Sequence, residues 1–132
     1  MIVRVLVVDD EPDVETLFRQ QFRREVRDGL YSLEFALSGQ AALDILADSV
    51  GESIILLVSD INMPGMSGLE LLPAVKATRP ELPVFMISAY GDKDTMATAM
   101  DRGASKFLTK PVDFPQLKRE VTAVIAEARA GG

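Results

Sequence analysis

Five short apolar runs alternate with five longer stretches of helical period, and this alternation predicts an α/β fold with a parallel five-stranded sheet between two helical layers. The runs at 3–8, 55–59 and 84–88 are nearly unbroken apolar, largely β-branched sequences, as parallel strands buried on both faces require. The 132 residues contain no repeat or low-complexity tract and match the length of one ordinary domain.

The strands are expected at 3–8, Ser32–Ala36, 55–59, Val84–Ser88 and Lys106–Thr109. The second alternates and carries Glu34, which places it at an edge. In the first helix, Pro12 stands in the opening turn after DDE, and Val14, Leu17, Phe18, Phe22 and Val26 form one stripe until Asp28-Gly29 stops it. Ser38-Gly39 opens the second helix, with Ala42, Leu43, Ile45 and Leu46 facing inward. Ser67 can cap the third, and Glu70 three residues later completes a capping box. Asp92 or Asp94 begins the fourth, which ends near Gly103. Its Met96, Ala97 and Met100 suit a dimer face, with at least one methionine expected in the core. Phe114-Pro115 begins the fifth, with Leu117, Val121, Val124 and Ile125 as its inner stripe. Right-handed crossovers on both sides then give strand order 2-1-3-4-5, the flavodoxin-like (βα)5 three-layer sandwich, whose ligands lie beyond the carboxyl ends of the strands. The domain is expected to span 1–128, with 129–132 a flexible tail or the start of a linker to an output domain.

Composition narrows the chemistry. With no cysteine and no histidine, thiolate and imidazole ligands are excluded, as are a histidine general base and a phosphohistidine. Carboxylates, hydroxyls and lysine are what remain. A net charge of −6 argues against direct nucleic-acid binding. The arginines of RQQFRREVR alternate with apolar residues at helical spacing, which reads as a solvated amphipathic face rather than a binding patch. No apolar run is long enough to cross a bilayer and the chain opens on a strand pattern, so a cytoplasmic, membrane-free domain is expected.

In the expected strand order, Asp9, Asp10 and Glu11 end the first strand, Asp60 the third, Ser88 the fourth, and Thr109-Lys110-Pro111 the fifth. Taken singly, an Asp-Asp pair before a helix more often caps it, a strand-end serine is structural, and Lys-Pro marks a turn. Together on one sheet edge, clustered carboxylates repel one another unless a cation lies between them. Mg²⁺ suits a site of few carboxylates and several waters. A carboxylate nucleophile, Mg²⁺, a lysine and a hydroxyl are the parts that phosphoryl transfer needs.

The blocks VLVVDDEPD, VSDINMPGMSGLELL, VFMISAYGD and GASKFLTKPVD resemble the response-regulator receiver domain of two-component signalling over residues 3 to 128. The resemblance implies that Asp60 accepts a phosphoryl group from the phosphohistidine of a sensor histidine kinase or a histidine phosphotransfer protein. It implies that Mg²⁺ (or Mn²⁺) is held by Asp10, by Asp9 largely through water, by Asp60 and by the backbone carbonyl of Asn62. Ser88 and Ala89 would approach the phosphate, Lys110 would pair with it, and the Lys110–Pro111 bond would be cis. Phe107 takes the aromatic switch position, where tyrosine is more usual. Asn62 and Tyr90 take positions that tune dephosphorylation. The surface of the fourth helix, fifth strand and fifth helix would change shape, control an output and allow a homodimer. The long, arginine-rich first helix with RDGLYSLEFA leading to the second strand, together with SAYGD and TAMDRGASKFLTKPVDF, resembles receivers fused to adenylate or guanylate cyclase domains or to a phosphatase output.

Two other readings share parts of this pattern. A haloacid-dehalogenase-like phosphohydrolase also uses an aspartate nucleophile with Mg²⁺, but it needs an acid two residues later, where this chain has Asn62. A flavin-binding module needs a phosphate cradle after the first strand, where DDEPD would repel phosphate.

Overall fold

The computed structural model describes residues 2–48, 52–89 and 91–131. The elements run β1 (Arg4–Val8), α1 (Pro12–Gln21), α2 (Arg23–Arg27), β2 (Ser32–Ala36), α3 (Gly39–Ala47), β3 (Ile54–Asp60), α4 (Gly68–Thr78), β4 (Val84–Ser88), α5 (Lys93–Asp101), β5 (Lys106–Thr109) and α6 (Phe114–Gly131). All strand pairs are parallel, in the order β2-β1-β3-β4-β5. This is the expected flavodoxin-like sandwich.

Side chains alternate between two cores. Leu6, Val8, Val84 and Met86 join Ala42 of α3, Leu71, Leu72 and Val75 of α4 and Ala99 of α5. Val5, Val7, Phe85 and Ile87 join Phe18 of α1, Phe22, and Leu117, Val121 and Ile125 of α6. In β3 the phase slips, because Arg4 pairs with Ile54 but Val5 with Leu56. That irregularity puts Ile54 and Leu57 in one core and Leu56 and Val58 in the other.

The first helix departs from expectation. It breaks at Phe22 (φ −103°, ψ 12°) into α1 and α2, so the expected fourth and fifth helices are α5 and α6. Phe22 stays buried, stacked on Phe18 at 5.7 Å, while Glu25 of α2 reaches Lys118 of α6 at 3.3 Å. The continuous stripe fails beyond the break, where Val26 is exposed rather than buried, and Leu17 within α1 is exposed as well. Met96 and Met100 are both exposed, which removes the core role expected for one of them. Helix α6 runs on to Gly131 instead of loosening after Ala128, and Gly132 lies outside the described residues.

The caps follow their residues. Ser38 accepts from Ala41 N, Asp92 from Thr95 N, and Ser67 with Glu70 makes both bonds of a capping box, each cap worth about 1 kcal/mol. Pro73 inside α4 cannot donate to the Leu69 carbonyl. Arg102 Nη1 takes that carbonyl at 2.6 Å, tying α4 to the end of α5. Among the described residues no helix is long and apolar enough to cross a membrane.

Candidate functional site

Strand register brings the polar residues to one edge. Val8 pairs with Ser59, Asp60 with Ile87 and Ser88 with Thr109, so the chain reversals after β1, β3, β4 and β5 share one rim. Asp60 is the last residue of β3 and is buried. Asp9 follows β1, also buried, and Asp10 beside it is half-buried. Carboxylate oxygens of Asp9, Asp10 and Asp60 lie within 4.8 Å of one another. Lys110 Nζ stands 3.3 Å from Asp60 Oδ2, and Asp60 Oδ1 is buried without a hydrogen-bond partner.

Backbone contacts fix these groups. The Glu11 N–H donates to Asp9 Oδ1 at 2.9 Å, and Lys110 N donates to the Ser88 carbonyl at 2.9 Å. Burial pushes the Asp9 carboxyl above its ordinary value of 3.8, the charges of Asp60 and Asp10 add to this, and the Glu11 N–H and Lys110 oppose it. Three carboxylates face one lysine, so the rim carries excess negative charge around an oxygen with no donor. That is what a hard divalent cation answers, and Mg²⁺ fits these oxygen ligands.

Two residues shape the Asp60 backbone beyond what the sequence reading anticipated. Ser59, fully buried, donates its hydroxyl to the Asp60 carbonyl at 2.9 Å. Gly68 opens α4 directly against β3, where a Cβ would collide with the Asp60 carbonyl oxygen and stand 2.8 Å from Ile61 Cα. Gly68 N donates to the Ile61 carbonyl at 2.9 Å, closing the loop. Gly65, at φ +75°, supplies the left-handed residue of the turn between them. The spacing from Asp60 to Gly68 was the available signal, since a glycine opening a helix beside a polar strand end marks a close backbone approach.

The remaining expected residues are distributed around the rim. Ser88 ends β4 and is fully buried. Ala89, next along, and Asn62, two residues past Asp60, are both exposed. The Lys110–Pro111 bond is cis. Phe107 does not join the carboxylate cluster. It lies two residues back from the end of β5, half-buried against the core shared with Met86, and borders a cleft of about 230 Å³ with Met96, Pro111 and Val112. Tyr90 lies outside the described residues.

Comparison with known proteins identifies the family and the fold. The response regulator receiver domain family matches residues 5–122. Response regulator protein PilR of Pseudomonas aeruginosa is 36% identical over 122 residues, covering 92% of this chain and 26% of that protein. Response regulator MprA of Mycobacterium tuberculosis is 31% identical, covering 98% of this chain and 53% of that one. The chain thus spans about a quarter to a half of these relatives' length. A receiver domain from Clostridium thermocellum superposes with a TM-score of 0.86 at 25% identity, covering 99% of this chain and 100% of that one. A receiver protein from Pseudomonas putida superposes at 0.83 with 26% identity, over 93% and 98% of the two chains. The chain belongs to the response regulator receiver domain family of two-component systems.

Proposed function

We propose that Asp60 is the phosphoacceptor of this receiver, taking a phosphoryl group from the phosphohistidine of a sensor histidine kinase or a histidine phosphotransfer protein. The observation that carries the reading is Asp60 itself: buried, ion-paired with Lys110 on one oxygen and partnerless on the other, inside a carboxylate cluster. One carboxylate oxygen of Asp60 forms the O–P bond as the N–P bond of the donor breaks, and the electron pair leaves with the imidazole nitrogen. Mg²⁺ (or Mn²⁺), held by Asp10, Asp9, Asp60 and the Asn62 carbonyl, would neutralise the carboxylates and the phosphoryl oxygens when bound. Lys110 pairs with a further phosphoryl oxygen, while the Ser88 hydroxyl and the Ala89 backbone bond another.

The phosphoryl group adds charge and three acceptor oxygens at one point of the rim. Drawing Ser88 and Ala89 toward it opens space that Phe107 fills, and the face of α5, β5 and α6 changes shape. Phe107 has no hydroxyl, so its two positions differ by packing alone. The exposed Met96 and Met100 support this face as the surface that meets an output or a second copy. The functional unit is residues 1–128, α6 leads toward the output, and a nucleotide cyclase or phosphatase is the output that the sequence blocks favour. The domain itself is a phosphate carrier that works in the cytoplasm without binding nucleic acid. Exposed Asn62 supplies no acid for the hydrolase reading, which has no support.

Labelling with acetyl phosphate and Mg²⁺ tests the proposal. One phosphoryl group per chain is expected, and none on Asp60→Asn. Undiminished labelling of that variant, or steady turnover of a phosphomonoester, would overturn it.

A further inference from the structure

At the end of the sheet opposite Asp60, α2 and the last turns of α6 leave an uncovered surface that is both apolar and positive. Val26 and Leu30 are 40% and 48% exposed. Leu30, Tyr31, Thr122, Ile125, Ala126 and Arg129 line a cleft of about 150 Å³. Arg119 shares a stripe of α6 with Thr122, Ala126 and Arg129 by helical spacing. Among the described residues, Arg23, Arg24 and Arg119 have no acidic partner. Arg129 makes one long bond, to the Leu30 carbonyl at 3.5 Å.

A purely solvated amphipathic face would bury its apolar residues and expose its arginines alone. Here Val26 is exposed on the same short helix as Arg23, Arg24 and Arg27, and Leu30 just beyond it is exposed as well. Arg27 is paired with Asp28 at 3.4 Å, which leaves Arg23, Arg24 and Arg119 as the unpaired cations of this surface among the described residues. Apolar surface beside such cations is complementary to an acidic amphipathic segment. A nucleic acid or an anionic bilayer would also meet the rest of a chain whose net charge is −6. A short segment meets the local arginines, because charges beyond about 8 Å are screened at physiological salt.

We propose that this surface docks an acidic amphipathic helical segment of a partner protein, with apolar side chains in the cleft and carboxylates on Arg119, Arg129, Arg23 and Arg24. The site is independent of Asp60 chemistry. Fluorescence anisotropy of the whole chain with a labelled helical peptide of about four turns, leucines on one stripe and glutamates on the other, reads the binding. Saturable binding is expected, weakened about tenfold in the Arg119→Glu, Arg129→Glu double variant. Leu30→Ser should weaken it too, and Asp60→Asn should leave it unchanged. Circular dichroism melts keep a folding failure separate from a binding failure. The proposal is overturned by absent binding at millimolar peptide, or by equal binding of a scrambled peptide lacking the leucine stripe. Stronger binding of phosphatidylglycerol vesicles or duplex DNA overturns it as well, as does a homodimer that sedimentation shows to dissolve on charge reversal.

Discussion

Two carboxylates at opposite ends of the sheet have a lysine at 3.3 Å, Asp60 with Lys110 and Glu25 with Lys118. Each also keeps one buried oxygen without a hydrogen-bond partner, Asp60 Oδ1 and Glu25 Oε1. Their surroundings differ. Glu25 and Lys118 form a one-to-one pair: Lys118 also lies over the Phe22 ring at 5.6 Å, and the neighbouring Tyr31 phenol is held neutral by burial and then by Glu25. Around Asp60, Asp9 and Asp10 leave three carboxylates against one lysine. A partly buried ion pair is a packing device, and a buried charge imbalance is a binding site.

The strongest way to break this comparison is with a divalent cation. At about a hundredfold excess over its Kd, Mg²⁺ should stabilise the chain by roughly 2.7 kcal/mol, read as a rise in Tm by calorimetry. Asp9→Asn with Asp10→Asn should lose that rise, and Glu25→Gln should keep it. Equal shifts in the two variants would remove the distinction between the ends.

Lys118→Met should cost about 1–2 kcal/mol in urea unfolding, because Glu25 is left half-sheltered without its cation and the contact over Phe22 goes. No Mg²⁺ dependence should accompany that loss. Acid titration probes the imbalance at the other end. The folded-state value of Asp9 lies above 3.8, so the folded chain takes up this proton first as pH falls. Ionised Asp9 therefore weighs against the fold near neutrality, and the penalty fades as pH falls through its raised value toward 3.8. Asp9→Asn should raise the metal-free Tm at pH 7 by a margin that shrinks toward pH 4. A margin constant with pH would show that desolvation and the neighbouring carboxylates do not act on it.

The smallest effect is expected at a neutral site. Arg102→Ala should cost about 0.5–1 kcal/mol by abandoning the Leu69 carbonyl that Pro73 leaves open. With Pro73→Ala the helix supplies its own donor, so the Arg102 substitution should then cost less. Additive losses in that double-mutant cycle would show that the bond does not answer the proline.

Most of the architecture was legible in the chain. Alternating apolar runs and helical stretches determine five strands and their helices, because the periods of burial in parallel strands and amphipathic helices are local. Ser38, Ser67, Asp92 and Gly29 mark helix ends through groups no more than a few residues away. The polar strand ends, from Asp9 and Asp10 to Lys110, were legible as one site once strand order was inferred.

Long-range contacts decided the rest. Phe22, where the helix breaks, packs against Phe114 and under Lys118 of α6, which no window around residue 22 contains. The exposure of Val26, Met96 and Met100 depends on what happens to cover each helix face. The lone Asp60 oxygen, the clamp of Ser59 and Gly68 on its backbone and the Arg102 bond that answers Pro73 are distances between parts of the fold. Sequence periodicity determined which residues face a core and which residue types gather at the sheet edge. Tertiary packing decided which buried charges find a partner, because that depends on residues brought together from far along the chain.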